Sequence, residues 1–174
     1  MNQPVIIIGA GRSGTNILRD SICSLPGFET WPCDEINYIW RHGNIGKATD
    51  RFTPEDARPS VKKFIRSQFE KFQRSSGAGT VVEKTCANSL RVAFINEILP
   101  GARYIFIVRN GYDVTSSAMA RWRATLDLDY ILKKARYVPK SDIPYYASRY
   151  LANRIKKFFP LKSAWPFGGH FTRE

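Results

Sequence analysis

The fold is decided by residues 5–16, which read Val-Ile-Ile-Ile-Gly-Ala-Gly-Arg-Ser-Gly-Thr-Asn. The first four residues are a continuous apolar run, which is typical of a parallel strand buried on both faces. After the glycines, apolar residues recur at helical spacing until Pro26 and Gly27 end the pattern. A glycine-rich turn between a strand and a helix presents backbone N–H groups and the positive end of the helix dipole. The stretch therefore predicts a site for a phosphate-like anion.

The rest of the chain alternates further strands with helices. Apolar runs predict two more strands, at residues 80–82 and 103–108. Helical spacing predicts three further helices, each with a favourable residue at its start. The predicted starts are Thr53 or the later Pro59, Asn88, and Asp113. This alternation predicts an α/β fold in which helices cover both faces of a parallel sheet.

The composition excludes several classes of protein. The chain has 174 residues, about one domain, and its 43% hydrophobic residues exclude wholesale disorder. Its apolar runs are far shorter than the roughly 20 residues of a membrane span, and neither a transmembrane segment nor a signal peptide is expected. The three cysteines form no CxxC pair, and with two histidines they offer no zinc spacing. These features predict free thiols, no metal site and a cytoplasmic location.

The chain is strongly basic. Lys and Arg number 27 against 15 acidic residues, a net charge of +12, which favours anionic partners. Residues 121–174 hold 12 basic and 4 acidic residues, so this helical-looking stretch carries +8 of that charge. Its interleaved aromatic and basic residues leave a nucleic-acid-binding module as an alternative. The chain has no signature of a known nucleic-acid-binding fold, however, so no nucleic acid partner is expected.

The glycine-rich loop fits three kinds of anion site. As GxGxxG, with Asp34 or Glu35 about 20 residues further on, it fits the dinucleotide fingerprint of an NAD(P)-dependent oxidoreductase. As a Walker loop it has Thr15 and Asn16 where Lys and Ser/Thr are required, which argues against ATP chemistry. In the third interpretation, the arginine side chain and the two hydroxyl groups of residues 12–15 surround a terminal phosphate. The loop alone does not choose among these alternatives.

A second candidate anion site follows the strand at residues 103–108. Arg109 stands at the carboxyl end of this strand, and Ser117 follows eight residues later in the next predicted helix. An arginine fork and a serine hydroxyl together can grip a second phosphate. The competing interpretation is that Arg109 pairs with Asp113 and only caps the helix. Because the glycine-rich loop already predicts a site for one phosphate, the interpretation of Arg109 and Ser117 as a second phosphate site is favoured over the helix cap.

With these motifs the chain resembles the sulfotransferases that use 3′-phosphoadenosine 5′-phosphosulfate (PAPS). GAGRSGTN is similar to the family's 5′-phosphosulfate loop, and IVRNGYDVTSS is similar to its 3′-phosphate motif. The segment at residues 82–85 resembles the V-E-K-T-P of the glycan-modifying branch, with Cys86 in place of the proline. The resemblance implies that PAPS or its product PAP is bound by Gly11, Arg12, Ser13, Gly14, Thr15, Asn16, Arg109 and Ser117.

The same resemblance implies the architecture. It predicts a P-loop nucleotide-kinase-like fold and one sulfotransferase-like domain over residues 1–174, with the motifs in 1–122. Residues 123–174 are expected to be helical and weakly assignable. Domains of the family are generally longer, so the domain is expected to be C-terminally incomplete.

The implied reaction is in-line transfer of a sulfuryl group from PAPS to a hydroxyl or amine of a carbohydrate or other small acceptor. Arg12 and Lys84 are the cations expected to stabilise the charge that develops, without a metal ion. Glu35 is the expected base, as in the glycan-type branch, with Asp34 as the alternate. The competing interpretation of these two acids is an ordinary acidic pair at a helix N-terminus. A purely structural interpretation of Glu83 is that it pairs with Lys84 or Arg12 and holds the site together.

Overall fold

The computed structural model describes residues 2–122 and 134–158 of the chain. Its centre is a parallel sheet of four strands in the order β2-β3-β1-β4. The strands are β1 (Val5–Ile8), β2 (Phe28–Glu29), β3 (Thr80–Lys84) and β4 (Arg103–Phe106). The predicted α/β fold with a parallel sheet is confirmed.

Helices and short 3-10 helices accompany the strands. The helices are α1 (Thr15–Cys23), α2 (Asn37–Arg41), α3 (Pro59–Ser76), α4 (Val92–Ile98), α5 (Gly111–Trp122) and α6 (Ile143–Phe158). The 3-10 helices are Pro54–Asp56, Cys86–Leu90 and Lys140–Asp142. The helix predicted in the basic C-terminal stretch is α6. The other predictions for that stretch, at residues 123–133 and 159–174, lie outside the described residues.

Strand β1 anchors the sheet because both of its faces are buried. Ile6 and Ile8 pack in the larger core cluster, on the side of α3 and α4. Val5 and Ile7 pack on the opposite side with Val82, against α1. Burying an aliphatic side chain of this size contributes about 1.5–3 kcal/mol, so the VIII run stabilises both layers at once.

The register brings three loops to one edge of the sheet. Ile7 of β1 lies opposite Lys84 of β3 and opposite Ile105 of β4. The strands are parallel, so the segments that follow β1, β3 and β4 all leave at the carboxyl edge. The predicted anion loop, the Lys84 segment and the Arg109 segment therefore meet there.

The structure corrects two predicted helix starts. The Thr53 segment forms only a 3-10 helix, closed by reciprocal bonds between Thr53 and Asp56, and α3 begins at Pro59. Asp113 does not cap α5. The side chain of Asn110 accepts from the N–H of Tyr112 at 2.9 Å and takes that role.

The end of the sheet at β4 also differs from the prediction. β4 ends at Phe106 rather than at residue 108, and Phe106 and Val108 are 63% and 91% exposed. The two faces of this strand are therefore less completely covered than those of β1. Asn88 lies inside a 3-10 helix that precedes α4, so it is not the cap of that helix.

Candidate active site

The loop after β1 has a backbone that only particular residues accept. Gly14, which precedes α1, has φ +89°, and a Cβ on Gly9 would come within 2.6 Å of the Ile107 side chain. Arg12 also has a left-handed backbone, with φ +69°, although it is not a glycine. A residue held this way costs about 1–3 kcal/mol, and such strain concentrates at functional sites. The side chains of Ser13 and Thr15 are buried beneath the turn.

The loop contacts the Arg109 segment directly. Arg12 Nε donates to Ser117 Oγ at 3.0 Å, and Arg109 Nη1 donates to the carbonyl oxygen of Arg12 at 3.1 Å. The two predicted phosphate grips, about one hundred residues apart in sequence, are therefore one cluster. Arg109 also pairs with Asp113 at 3.8 Å, but both side chains are substantially exposed. That pair is weak and leaves Arg109 available to an anion.

Lys84 ends the neighbouring strand β3 and lies between two acids. Its side chain is 1% exposed, and its Nζ lies 3.0 Å from Asp34 Oδ1 and 3.4 Å from Glu35 Oε1. Successive side chains of a strand point to opposite faces of the sheet, so Glu83 lies on the face opposite that of Lys84. The interpretation that Glu83 pairs with Lys84 or Arg12 is therefore wrong.

Glu35 is held by three groups from three segments. Besides Lys84, the N–H of Cys86 donates to Oε1 at 3.1 Å, and Lys134 Nζ lies 3.7 Å from Oε2. Burial acts to raise the pKa of Glu35, but the two lysines and the Cys86 hydrogen bond outweigh it and hold the pKa below its ordinary value. Glu35 is therefore a carboxylate at neutral pH.

Asp34 is held by α1 instead. Arg19 Nη1 lies 2.8 Å from Asp34 Oδ1, in addition to the contact with Lys84. Burial again acts to raise the pKa of Asp34, and the two cations outweigh it, so this pKa is also lowered. Neither acid lies at the N-terminus of α2, which begins at Asn37, so the interpretation as a helix-end acidic pair does not hold.

Cys86 joins the acid to the anion loop. Its Sγ lies 3.9 Å from Thr15 Oγ1, and its backbone holds Glu35. Burial, with the nearby Glu35 carboxylate, raises the pKa of the Cys86 thiol to about 12. The thiol is therefore neutral at physiological pH and is not a nucleophile.

A buried polar network supports this arrangement, and sequence patterns did not indicate it. The Ile36 N–H donates to Thr85 Oγ1 at 3.3 Å, and Thr85 Oγ1 donates to Glu83 at 2.6 Å. Asn88 donates to the other oxygen of Glu83, and Arg91 donates to Asn88. The network thus ties the backbone beside Glu35 to the end of β3.

The network is fully buried. Burial lowers the pKa of Arg91 to about 10 and raises the pKa of Glu83. Buried charges are retained only where partners satisfy them, so each member depends on the others.

The 3-10 helix before α6 and the start of α6 pack near α2. His42 Nδ1 lies 2.9 Å from Asp142 Oδ2, and the rings of Tyr38 and Tyr146 pack edge to face with their centroids 4.8 Å apart. Lys134, from the same part of the chain, reaches Glu35. The C-terminal basic stretch therefore contributes a side chain to the site, which the motifs did not predict.

Lys84→Met tests how far the two acids depend on one cation. We expect the pKa values of Asp34 and Glu35 to rise, because the variant removes their shared cation. The free energy of unfolding at neutral pH should fall by about 2 kcal/mol, which is less than for a fully buried ion pair because both acids are partly exposed. The loss should shrink in acid, as the pH falls through the lowered pKa values and the carboxylates are protonated. Urea unfolding at several pH values measures this.

Lys62→Met is the matched control for that variant. The Lys62–Glu97 pair is considerably more exposed, so its loss should cost less than about 1 kcal/mol. Equal destabilisation by the two variants would contradict the role given to Lys84.

Comparison with known proteins agrees with this geometry. A family model described as Sulfotransferase family matches residues 4–153. The chain belongs to the sulfotransferase family, and its fold is the P-loop-like fold of that family. The match extends beyond residue 122, where the sequence motifs end, into α6. No curated protein and no solved structure matches the chain.

Membership in this family makes the chain a transferase of sulfuryl groups rather than a dinucleotide-dependent oxidoreductase. The glycan-type branch, the single-domain extent, the cytoplasmic location and the lack of a nucleic acid partner stay predictions. None of the helices in residues 2–122 and 134–158 is both long and apolar enough to cross a membrane. Within the same residues, no group of three or more potential ligands (His, Cys, Asp or Glu) is placed to hold a metal ion.

Proposed function

We propose that this chain transfers a sulfuryl group from PAPS to a hydroxyl or amine of a carbohydrate or other small acceptor. The observation that carries the proposal is the cluster of Arg12, Ser117 and Arg109 at the carboxyl edge of the sheet. The cluster brings the two candidate anion-binding segments together. A ligand with two separate anionic groups needs such an arrangement. When bound, PAPS would supply the sulfuryl group that is transferred.

The donor set at this edge fits such a ligand. Two guanidinium groups, buried hydroxyls and the N-terminus of α1 converge there, and guanidinium forks suit the geometry of phosphates. Residues 11–16 would hold the 5′-phosphosulfate, while Arg109 and Ser117 would hold the 3′-phosphate. The strained backbone of Arg12 supports this assignment, because it fixes the arginine in the turn.

Lys84 and Glu35 would carry the chemistry. Lys84 and Arg12 would stabilise the negative charge that develops on the transferring group. Glu35 is ionised, so it can take the proton of the acceptor hydroxyl or amine. The short distance between Lys84 and Glu35 puts the cation and the base within one small region.

Glu35 is preferred to Asp34 because of what surrounds each acid. Glu35 is bonded by Cys86, whose side chain touches Thr15 of the anion loop. Asp34 is bonded by Arg19, a full turn further along α1. The contacts of Glu35 therefore lead toward the loop that would hold the donor.

The acceptor class follows from the resemblance of residues 82–85 to the glycan-type branch. A transfer assay that follows PAP release from PAPS over a panel of hydroxylated and amino sugars, lipids and phenols tests the proposal. Sugar-dependent release is expected. Release that no acceptor stimulates, with no PAP binding, would contradict it.

The rate of transfer should fall on the acid side only at an unusually low pH. Glu35 acts in its ionised form and its pKa is held below the ordinary 4.5, so transfer should persist to a pH lower than that value wherever the protein stays folded. Lys134→Met should move the acid limb upward, because it removes one cation from the carboxylate. Rates measured in parallel with circular dichroism from pH 3 to 8 separate titration from unfolding; a limb that Lys134→Met leaves in place would contradict this account.

A further inference from the structure

Cys86 contacts Glu35 with its backbone N–H as well as with its thiol. It is the first residue of the 3-10 helix Cys86–Leu90, and its N–H donates to Glu35 Oε1 at 3.1 Å. The helix itself is closed by other bonds, from the Asn88 N–H to Thr85 and from the Arg91 N–H to Asn88. The Cys86 N–H is therefore used for the acid and not for the helix.

A proline would fit the backbone at this position. The first position of a helix is where proline is favoured, because the helix does not use that N–H. The residue before it, Thr85, has φ −130° and ψ 121°, the extended conformation that a following proline requires. A proline would thus cost little in local structure while it removed the donor to Glu35. The V-E-K-T-P segment of the glycan-type branch has a proline here, so this chain differs at the atom that contacts the acid.

The N–H acts in a crowded charged environment. Lys84 and Lys134 face Glu35 with positive charge, and the charges of Arg91, Glu83 and Asp34 also lie nearby. The Cys86 thiol is neutral and touches both Thr15 and the Glu35 side chain. A lysine ammonium attracts the carboxylate as a point charge, whereas a backbone donor is fixed in direction by the strand and helix on either side. A directional donor of this kind orients one oxygen of the carboxylate, which a point charge does not do.

We propose that the backbone N–H of Cys86 makes this cysteine a positioning residue for Glu35, and that a residue other than proline is required here for that reason. The proposal rests on the proposed function, in which Glu35 is the base. It predicts that loss of the N–H of residue 86 affects Glu35 beyond what loss of the thiol does.

Cys86→Pro and Cys86→Ala form the matched pair, because both remove the thiol and only the first removes the N–H. We expect the pKa of Glu35 to rise further toward its ordinary range in Cys86→Pro than in Cys86→Ala, because both variants lose the thiol contact and only the first loses the N–H. Carboxyl carbon NMR of protein labelled at glutamate measures this pKa, with Glu35→Gln to assign the signal. The kcat for transfer should fall at least about tenfold in Cys86→Pro, the lower end of the value of one charge-assisted hydrogen bond, while the affinity for PAP stays the same.

A measurement on the unmodified chain does not depend on the folding of the proline variant. The amide signal of Cys86 should shift with the titration of Glu35 in the wild-type protein, and this shift should be lost in Glu35→Gln. An amide signal that ignores the titration, or equal pKa values of Glu35 in the two Cys86 variants, would overturn the inference.

The two proposals fail in different ways. A wild-type chain that shows the amide shift but neither binds PAP nor transfers sulfuryl groups would contradict the proposed function alone. A wild-type chain that transfers, with Cys86→Pro and Cys86→Ala indistinguishable in kcat and pH profile, would contradict the positioning role alone.

Discussion

Replacing both Arg12 and Arg109 with alanine is expected to weaken the binding of PAP by at least about 100-fold. Each guanidinium would contribute charge-assisted hydrogen bonds to one phosphate, and such a bond contributes about 1.5–3 kcal/mol. The double variant also removes the two bonds that join the loop to the segment after β4. Isothermal titration calorimetry with PAP measures the loss, and the single variants show how it divides between the two ends of the ligand.

Arg103→Ala is the control for the loss of positive charge. Arg103 begins β4 at the opposite edge of the sheet, opposite Val5, and donates to Gln3. It should leave PAP affinity unchanged within about twofold, since only long-range attraction is reduced. Unchanged binding in the Arg12 and Arg109 variants, or an equal loss in Arg103→Ala, would show that the cluster is not the nucleotide site.

Glu35→Gln is expected to reduce kcat for sulfuryl transfer by about 100-fold to 10,000-fold, with little change in PAP affinity. General base catalysis by a positioned carboxylate is worth about this much. The amide keeps an oxygen that can accept from the Cys86 N–H, so the change removes basicity with little loss of shape. Transfer rates at saturating PAPS, with PAP titrations beside them, separate chemistry from binding.

Asp34→Asn decides between the two acids. Asp34 shares Lys84 with Glu35 but is otherwise held by Arg19. Its amide variant should therefore lose less than Glu35→Gln and act through the position of Lys84. A larger loss in Asp34→Asn, with Glu35→Gln close to wild type, would make Asp34 the base.

The local sequence patterns were sufficient to predict the frame of the fold. The run at residues 5–8 predicted the central strand because a strand buried on both faces needs apolar residues at every position. The glycines of the loop predicted the turn because Gly14 adopts a backbone that other residues rarely do. The family motifs also placed Arg12, Lys84 and Arg109 at one sheet edge, where the structure has them.

The same local patterns could not predict the long-range contacts. β2 has only two residues, too few for a periodic signal, and it forms because it pairs with β3. The groups that hold Glu35 come from residues at least 49 positions away, so no spacing along the chain encodes these contacts. Asn88 fits a helix start by type, but a buried carboxylate at Glu83 competes for its side chain, and the tertiary contact prevails.

Binding of PAP by the wild-type chain is the most direct test of the central claim, that the two anion-binding segments hold one nucleotide. Calorimetric titrations with PAP, 5′-AMP and NADP⁺ at one salt concentration are required. We expect one-to-one binding of PAP, weaker binding of 5′-AMP because Arg109 and Ser117 lose the 3′-phosphate, and the weakest binding for NADP⁺. Equal affinities for PAP and 5′-AMP, or tighter binding of NADP⁺, would contradict it.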